Sequence, residues 1–328
     1  MRFKLTYIAS IVLLSCCPLQ AQQFARVGTA GAQFLEIGVD ARAVAMGEAC
    51  IAIDNLGAAS LFWNPASAAF LEGKNIMLSH ASWIADVGLH AAAITASIGD
   101  YGTLGLSVSS LSSGEIEVTT VEQQDGTGET FTTSNTMVGL SYSKIVTDRF
   151  SMGGTIKYIG ERLEQQQAKT FCFDVGMLYD TGYRSLKFGA VIQNFGPPLS
   201  LDGTYQNYDN GVLLSDKREF NPYHLPMTFK VGMSWDIDLP QGQKFLTTLD
   251  AIHPRDNIER LDFGAEYLLW EGLALRSGYS SGHDSRGISV GAGFHLTAGS
   301  LGDFDINYAY TDFGVLDGVQ RFSMNISF

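Results

Sequence analysis

From residue 76 to the C-terminus, apolar side chains alternate one by one with small or polar side chains. Residues 171–179, with the sequence FCFDVGMLY, are a clear example. A period of two puts the two kinds of side chain on opposite faces of a β-strand, whereas an amphipathic helix needs a period of 3.6. The pattern therefore predicts that residues 76–328 consist mostly of strands, each with one apolar and one polar face.

Fourteen such runs follow one another, and most have about 9 to 12 residues, the length of a tilted strand that crosses a bilayer core of roughly 30 Å. The connections after even-numbered strands are short, and the longest ones, residues 114–134 and 197–223, follow odd-numbered strands. This difference between the two rims, with an even strand count, is typical of bacterial outer-membrane barrels whose two ends lie on the periplasmic side. The predicted strands lie near residues 76–84, 88–98, 102–113, 135–146, 149–163, 170–181, 186–196, 224–237, 244–254, 260–270, 273–282, 287–296, 304–314 and 320–328.

The apolar stripe on nearly every strand indicates contact with lipid, because a water-soluble barrel would expose a very large apolar surface. In lipid each unpaired peptide group costs several kcal/mol, so the sheet has to close on itself. We therefore predict an all-β fold, a 14-stranded antiparallel transmembrane β-barrel with an N-terminal hatch or plug segment. A soluble β-sandwich is the alternative. The polar, inward face carries these charged residues: Lys157, Asp174, Lys230, Asp262, Glu266, Asp305 and Arg321.

The composition excludes two other classes of protein. The net charge is −13 and the 21 basic residues are scattered, which disfavours nucleic acid as a partner because phosphate binding needs clustered Lys and Arg. After the N-terminus no run of 18 apolar residues occurs, so a helical membrane protein is excluded.

The N-terminus is predicted to be a secretory signal peptide, residues 1–21, with Ala21 as the last residue removed. A lipoprotein signal at Cys16 is the alternative. The predicted division of the chain is then a signal peptide at 1–21, a hatch segment at 22–75 and a barrel at 76–328. Cys50 and Cys172 remain after cleavage, and we expect two buried thiols, with a disulfide as the alternative.

Residues 22–75 lack the alternation and contain short, Gly- and Ala-rich pieces with helical character. A segment of this size does not fold alone, so it has to pack against something larger. Fourteen strands enclose more room than their own side chains fill, and inward positions of the strands are often Gly. The segment is therefore predicted to lie inside the barrel.

Three stretches of this segment, residues 40–47 (DARAVAMG), 49–52 (ACIA) and 63–66 (WNPA), resemble the N-terminal signature of the PorV/PorQ family. This family is related to the FadL long-chain fatty-acid transporters. The resemblance extends over essentially the whole mature chain and implies a hatch that plugs the barrel. It also implies a hatch motif and a barrel-assembly C-terminus, which here are Ala41, Arg42, Met46, Gly47, Asn64, Pro65 and Ala66 for the motif and Phe328 for the C-terminus. The sequence departs from the family at Glu48, where many relatives carry a second Gly.

PorV and PorQ are outer-membrane components of the type IX secretion system. The resemblance therefore implies a bacterial outer-membrane protein that contacts lipid and binds a large secretion translocon or its secreted cargo through the loops at 114–134 and 197–223. The apolar side chains offered for such contacts are Val212, Leu213, Leu214, Phe220, Tyr223 and Leu225. The alternative is a FadL-like passive transporter of hydrophobic small molecules. A transporter should have an apolar cavity for its hydrophobic ligand and a wall opening, for example near Gly153 and Gly154.

No motif indicates catalysis, a cofactor or a metal site. Residues 278–282 match G-x-S-x-G, but a nucleophile elbow needs a strand-to-helix turn and this motif lies at a predicted hairpin tip, before His283 and Asp284. The six histidines have no metal-ligand spacing. We therefore expect a protein that is not an enzyme.

Asn64 precedes Pro65, which excludes it from the helical region of backbone space. A stiff turn is predicted here, in which the Asn64 side chain bonds to nearby backbone groups. A purely structural turn and a functional part of the plug are both open. Aromatic residues near strand ends are predicted to form interfacial girdles, and these are Trp83, Tyr101, Trp235, Tyr267 and Trp270.

Overall fold

The computed structural model of the protein describes residues 27–209, 212–269, 272–282, 286–299 and 302–328. The predicted signal peptide, Trp270, His283 and Asp284 lie outside these residues. Fourteen strands in the described part close into an antiparallel barrel. They are β1 (Lys74–Ser82), β2 (Gly88–Ser97), β3 (Thr103–Ser112), β6 (Thr133–Thr147), β7 (Phe150–Leu163), β8 (Gln166–Asp180), β9 (Leu186–Phe195), β12 (Thr228–Asp238), β13 (Lys244–Pro254), β14 (Arg260–Leu269), β15 (Leu273–Ser281), β16 (Ile288–Thr297), β17 (Asp303–Asp312) and β18 (Gly318–Ser327).

The predicted fold is confirmed, and most strand ends lie within a few residues of their predicted positions. β1 pairs with β18 to close the wall, and the backbone N–H of Phe328 donates to the carbonyl oxygen of Lys74 at 2.9 Å. β12 begins at Thr228 and not at the predicted residue 224. The reason is Pro226, which has no N–H to give to a sheet ladder.

The two longest connections carry small hairpins that the alternation did not predict. β4 (Ile116–Glu117) pairs with β5 (Thr130–Phe131), and β10 (Thr204–Asp209) pairs with β11 (Val212–Glu219). Both hairpins are separate two-stranded sheets outside the barrel. We assign this rim to the extracellular side and the rim with short turns to the periplasmic side, since outer-membrane barrels have this asymmetry.

Side chains along the wall divide between the two faces as predicted. On β8, Phe173 and Val175 point outward and are about half exposed, whereas Asp174 between them is buried. In a bilayer the outward face contacts lipid. The inward face holds the predicted charges, with Lys157, Asp262 and Arg321 almost completely buried.

The N-terminal segment lies inside the barrel and extends from one rim to the other. At the extracellular rim the N–H of Gly31 donates to the carbonyl oxygen of His224 at 2.8 Å, and at the periplasmic rim the N–H of Ser97 donates to the carbonyl oxygen of Gly73 at 2.9 Å. We call residues 27–73 the hatch. Its helices are α1 (Ala41–Ala45), α2 (Ser60–Trp63) and short 3₁₀ helices at Gln33–Glu36, Gly57–Ala59 and Pro65–Phe70.

Inward-facing glycines on the strands allow the hatch backbone to touch the wall. A Cβ atom at Gly278 would overlap the backbone of Gly47, and one at Gly153 would lie 2.5 Å from the carbonyl carbon of Pro65. Any larger side chain at these positions would displace the hatch. The inward glycines that contact the backbone or a side chain of the hatch include Gly153, Gly176, Gly189, Gly264, Gly278 and Gly291.

Cys50 in the hatch and Cys172 on β8 are free, buried thiols, as expected from the sequence. Among the described residues, no helix is both long and apolar enough to span a bilayer.

Candidate functional site: the filled lumen

The first part of the predicted hatch motif, residues 41–47, forms helix α1 and its two ends. Asp40 caps the N-terminus, because its carboxylate accepts the N–H of Ala43 at 3.0 Å. The Ser323 hydroxyl on β18 donates to the same carboxylate at 2.8 Å and accepts the N–H of Ala41 at 3.2 Å. The start of α1 is thereby attached to the barrel wall.

Arg42 points toward the periplasmic half of the lumen. Its guanidinium forms a bidentate ion pair with Glu266 on β14, at 2.7 and 2.8 Å, a geometry that gives a strong charge-assisted contact. It also donates to the carbonyl oxygen of Asn55 at 2.8 Å. Arg276 on β15 also donates to the Oε2 atom of Glu266, at 2.5 Å. The family residue Arg42 therefore links the hatch to two neighbouring strands.

The helix α1 ends in a Schellman motif. The N–H of Gly47 bonds to the carbonyl oxygen of Val44 at 3.0 Å, and the N–H of Glu48 bonds to that of Ala43 at 2.9 Å. This motif needs a left-handed residue, which is usually Gly. Here both Gly47 and Glu48 have φ of +67°. A second Gly is therefore the residue that the backbone favours at position 48, and Glu48 adopts a strained conformation.

The Glu48 carboxylate is buried and forms an ion pair with Arg286, which lies in the extracellular connection between β15 and β16. Arg260 on β14 lies 3.8 Å from the same carboxylate and 3.6 Å from Asp262. Burial alone would raise the pKa of Glu48, but the guanidinium groups of Arg286 and Arg260 lower it to about 2. Glu48 is thus ionised and connects the hatch with the wall and an extracellular loop.

Asn64 forms the predicted turn, and its side chain also contacts the wall. Its Oδ1 accepts the N–H of Ala66 at 3.1 Å, which caps the 3₁₀ helix that begins at Pro65. Its Nδ2 donates to the carbonyl oxygens of Ile51 at 2.8 Å and Met177 at 3.1 Å. Asn64 therefore joins two parts of the hatch to β8.

Of the other predicted residues, Met46 packs beneath the wall at Gly264, Pro65 and Ala66 lie against β7, and Phe328 is an exposed residue at the barrel seam. The structure also shows wall residues that contact the hatch and were not predicted. The amide of Gln193 on β9 donates to the carbonyl oxygens of Phe62 and Trp63, both at 2.9 Å. Such contacts could be predicted from polar side chains at inward positions of the strands, at the same height in the wall as the inward glycines.

The lumen contains a cavity of about 790 Å³ that opens toward the periplasm. Its walls are polar and charged, with Arg42, Asp54, Lys187, Asp236 and His295 among them. A second lumenal cavity, on the extracellular side of α2, measures about 30 Å³ and lies between Phe34, Trp63, Met137 and Lys230. Two apolar hollows, of about 570 and 480 Å³, lie on the outward face of the wall.

The wall is continuous at the position of the opening predicted near Gly153 and Gly154. Gly153 and Gly154 pair with β6 on one side and with β8 on the other, with no break in register at either residue. In the described residues an irregularity lies instead between β8 and β9, at Phe173 and Val175.

The serine motif at 278–282 lies on β15 and the turn after it. The Ser280 hydroxyl points into the lumen and donates to the carboxylate of Asp262. A strand-to-helix elbow is not present at this position in the described residues. The described part of the chain also has no group of three His, Cys, Asp or Glu with an arrangement that could hold a metal ion.

Two expectations about exposed aromatic and apolar residues were wrong. Trp83 does not belong to a lipid-facing girdle, because its ring packs on Phe313 and lies 5.0 Å from the guanidinium carbon of the buried Arg321. Leu225 is not available to a partner, and Tyr223 is half-buried. Leu225 is buried beside the hatch, and the Tyr223 hydroxyl donates to Glu161 at 2.8 Å.

Other apolar side chains are exposed at the extracellular rim. Val315 and Leu316 lie at the tip between β17 and β18, with Val315 98% exposed, and Val121 between β3 and β6 is 89% exposed. The strands that carry these two connections are separated by β1 and β2 alone in the order of the wall. The exposed tips therefore belong to one arc of the rim.

Several solved structures share this barrel fold. The toluene transporter TbuX of Ralstonia pickettii has a TM-score of 0.60, with 14% identity, over 89% of this chain and 98% of that one. The toluene transporter TodX of Pseudomonas putida has a TM-score of 0.58, with 12% identity, over 88% and 96%. A FadL homologue of Pseudomonas aeruginosa has a TM-score of 0.54, with 12% identity, over 88% and 97%. These likenesses confirm the FadL-like barrel fold.

Among curated proteins, none matches the sequence. The family of type IX secretion system protein PorV matches residues 20–220, which include the whole hatch and the first half of the barrel. The membrane-facing wall and this match place the protein in the bacterial outer membrane. The chain belongs to the PorV family.

Proposed function

We propose that the protein is a non-enzymatic accessory component of type IX protein secretion that binds the translocon or its secreted cargo. The observation that carries this proposal is the filled lumen. The hatch passes from rim to rim and is held by hydrogen bonds or ion pairs from β8, β9, β14 and β18. A barrel that is filled in this way serves better as a rigid support for a partner than as a conduit.

The partner surface in this proposal is the extracellular arc that carries Val121, Val315 and Leu316. Val315 and Leu316 are adjacent apolar side chains at one loop tip, and a contiguous exposed apolar patch is typical of a site that binds another protein. The turn that carries Val315 and Leu316 is closed by the hydrogen bond from the N–H of Phe313 to the carbonyl oxygen of Asp317, which lowers the entropy that this tip loses on binding. In this proposal the arc takes the place of Tyr223 and Leu225 as the apolar contact surface, because these two residues make contacts within the protein.

The second candidate is a passive transporter of hydrophobic small molecules. The observation that favours it is the similarity of the barrel to two toluene transporters. Against it, the larger lumenal cavity is lined by charged side chains, whereas sites for apolar ligands are mostly apolar.

The test is complementation of a deletion strain, with secretion of a type IX cargo protein as the readout. The double variant Val121→Asp, Val315→Asp should reach the outer membrane but secrete the cargo poorly, and it should no longer co-purify with the translocon barrel. Tyr183→Asp is the matched control, since Tyr183 is an exposed apolar residue (63%) in a periplasmic turn. Normal secretion in the deletion strain, together with loss of uptake of a hydrophobic solute, would support the transporter instead.

A further inference from the structure

An apolar groove of about 480 Å³ lies on the outward face of the wall, in the half nearer the extracellular rim. β8, β9, β12 and β13 form it, with Phe173, Ile192, Phe195, Met227 and Phe229 as its apolar lining. Its volume lies within the range of about 300 to 1,000 Å³ that is usual for small-molecule sites. In the membrane this groove faces the outer leaflet.

The groove coincides with a bulge in the wall. The pairing of β8 with β9 changes register between Phe173 and Val175, and Asn194 on β9 has a left-handed backbone with φ of +59°. A bulge redirects the side chains beside it and is treated as a selected feature of a fold. Phe195, the next residue, is 62% exposed on the outward face.

Buried polar contacts hold this bulge from the lumenal side. The carboxylate of Asp174 accepts the N–H of Asn194 at 2.8 Å. The Lys157 ammonium lies 2.5 Å from the same carboxylate and donates to the Asn194 side chain at 3.0 Å. The groove is therefore preformed, so a ligand would bind without the cost of ordering it.

Basic side chains lie at the extracellular end of the groove. His253 and Arg255, at the end of β13, line it directly, and Lys169 lies on the outward face of β8, four residues above Phe173. The Nδ1 atom of His253 lies 3.0 Å from the Oε1 atom of Glu259. The Arg255 side chain is exposed and, among the described residues, makes no salt bridge. These basic side chains occur on a chain with a net charge of −13.

We propose that the groove binds an acylated, phosphorylated glycolipid of the outer leaflet. One acyl chain lies along Ile192 and Phe229, and a phosphate contacts Arg255. An apolar groove that ends at the exposed guanidinium of Arg255 is complementary to an anionic amphiphile, and guanidinium is well suited to phosphate. The inference is independent of the proposed role in secretion.

The experiment uses the full mature chain, purified in detergent, with bis-phosphorylated, hexa-acylated lipid A as the probe. Native mass spectrometry measures its affinity against phosphatidylglycerol and phosphatidylethanolamine. Ile192→Trp fills the groove and Arg255→Glu reverses the charge at its end. Each should weaken lipid A binding about tenfold, the effect of losing one interaction worth about 1.4 kcal/mol.

Two matched controls accompany these variants. Val290→Trp adds the same ring to the outward face of β16, and Arg184→Glu makes the same charge change in a periplasmic turn. Both should bind lipid A like the unmodified protein. Phe229→Ala, which removes part of the lining without adding bulk, replaces Ile192→Trp if that variant does not show the heat-modifiable migration of a folded barrel.

Three outcomes would overturn the proposal. The first is equal affinity for lipid A and phosphatidylglycerol, which would indicate attraction of any anionic lipid. The second is a loss of binding in the controls as large as in the groove variants. The third is unchanged binding in both Arg255→Glu and the groove-lining variants.

Discussion

Asp250 on β13 holds the backbone of Cys50 in the hatch. Its Oδ2 atom accepts the N–H of Cys50 at 2.7 Å and also that of Ile51 at 3.0 Å. All of these residues are completely buried. A single wall carboxylate thus satisfies two successive peptide groups that the short, irregular hatch cannot pair by itself.

The Asp250→Ala variant should lose about 2 to 5 kcal/mol of stability, because it leaves two buried N–H groups without an acceptor. Urea unfolding in detergent measures the loss. Asp250→Asn keeps one acceptor oxygen, so we expect it to lie between the unmodified protein and Asp250→Ala. Equal stability of all three proteins would show that the contact is unimportant.

Gly153 and Gly154 are neighbours on β7 that face opposite sides of the wall. Gly153→Val would force the side chain into the backbone of Pro65 and Ala66, whereas a Cβ at Gly154 meets no atom closer than 3.5 Å. Valine suits a strand at both positions. We therefore expect both variants to form barrels, but only Gly153→Val to expose the hatch to limited proteolysis and to raise channel conductance in planar bilayers. The same result for both variants would contradict this.

Asn64→Ala removes the cap of the following 3₁₀ helix and the two contacts made by Nδ2. The expected destabilisation is about 1 to 3 kcal/mol, and it should appear locally. Hydrogen exchange of residues 51–66 should accelerate, with higher conductance and reduced secretion. Asn257→Ala removes one local hydrogen bond in an exposed loop and serves as the control. Unchanged conductance and secretion in Asn64→Ala would mean that the turn is dispensable.

The ion pairs of Glu48 predict a dependence of stability on pH. Because the pKa of Glu48 is lowered in the folded protein to about 2 from an ordinary value of 4.5, its stabilisation is complete above about pH 4.5 and is lost as the pH falls toward 2. The difference in pKa corresponds to roughly 3 kcal/mol.

Glu48→Gln is the variant that measures this contribution. The difference in urea stability between the unmodified protein and Glu48→Gln should be large at pH 7 and should shrink between pH 4.5 and 2. Glu164→Gln, at an exposed residue that also has positive φ, should show no such pH dependence. A difference that stays constant with pH would attribute the effect of Glu48 to packing and not to charge.

Much of the wall could be predicted from the sequence because the membrane imposes a simple rule on it. Lipid selects apolar side chains at every second position, so strands such as β8 are visible as alternation. The hairpin of β10 and β11 lies outside the barrel, where no such selection acts, and it was not predicted. The predicted start of β12 was wrong for a different reason. The alternation extends to residue 224, but Pro226 has no N–H to donate to the sheet, so the strand begins only at Thr228.

The contacts that hold the hatch were harder to predict because they join residues far apart in the sequence. Cys50 and Asp250 are 200 residues apart, and no local sequence pattern predicts the hydrogen bond between them. Trp83 was misassigned for a similar reason. Its position near a strand end is typical of an interfacial residue, but its partner Arg321 lies on the last strand of the barrel.

The passage of the hatch from rim to rim has a consequence for biogenesis. The seam of the wall joins β1 to β18, the first and last strands of the barrel to be synthesised, and at the inward glycines the hatch is in direct contact with the wall. The nascent chain must therefore close its wall around its own N-terminal segment. The machinery that inserts the protein has to release a barrel that already contains the hatch. An insertion intermediate with an empty interior would hold the guanidinium groups of Arg260 and Arg321 without Glu48 and the carbonyl oxygen of Gly38, the hatch groups that they contact.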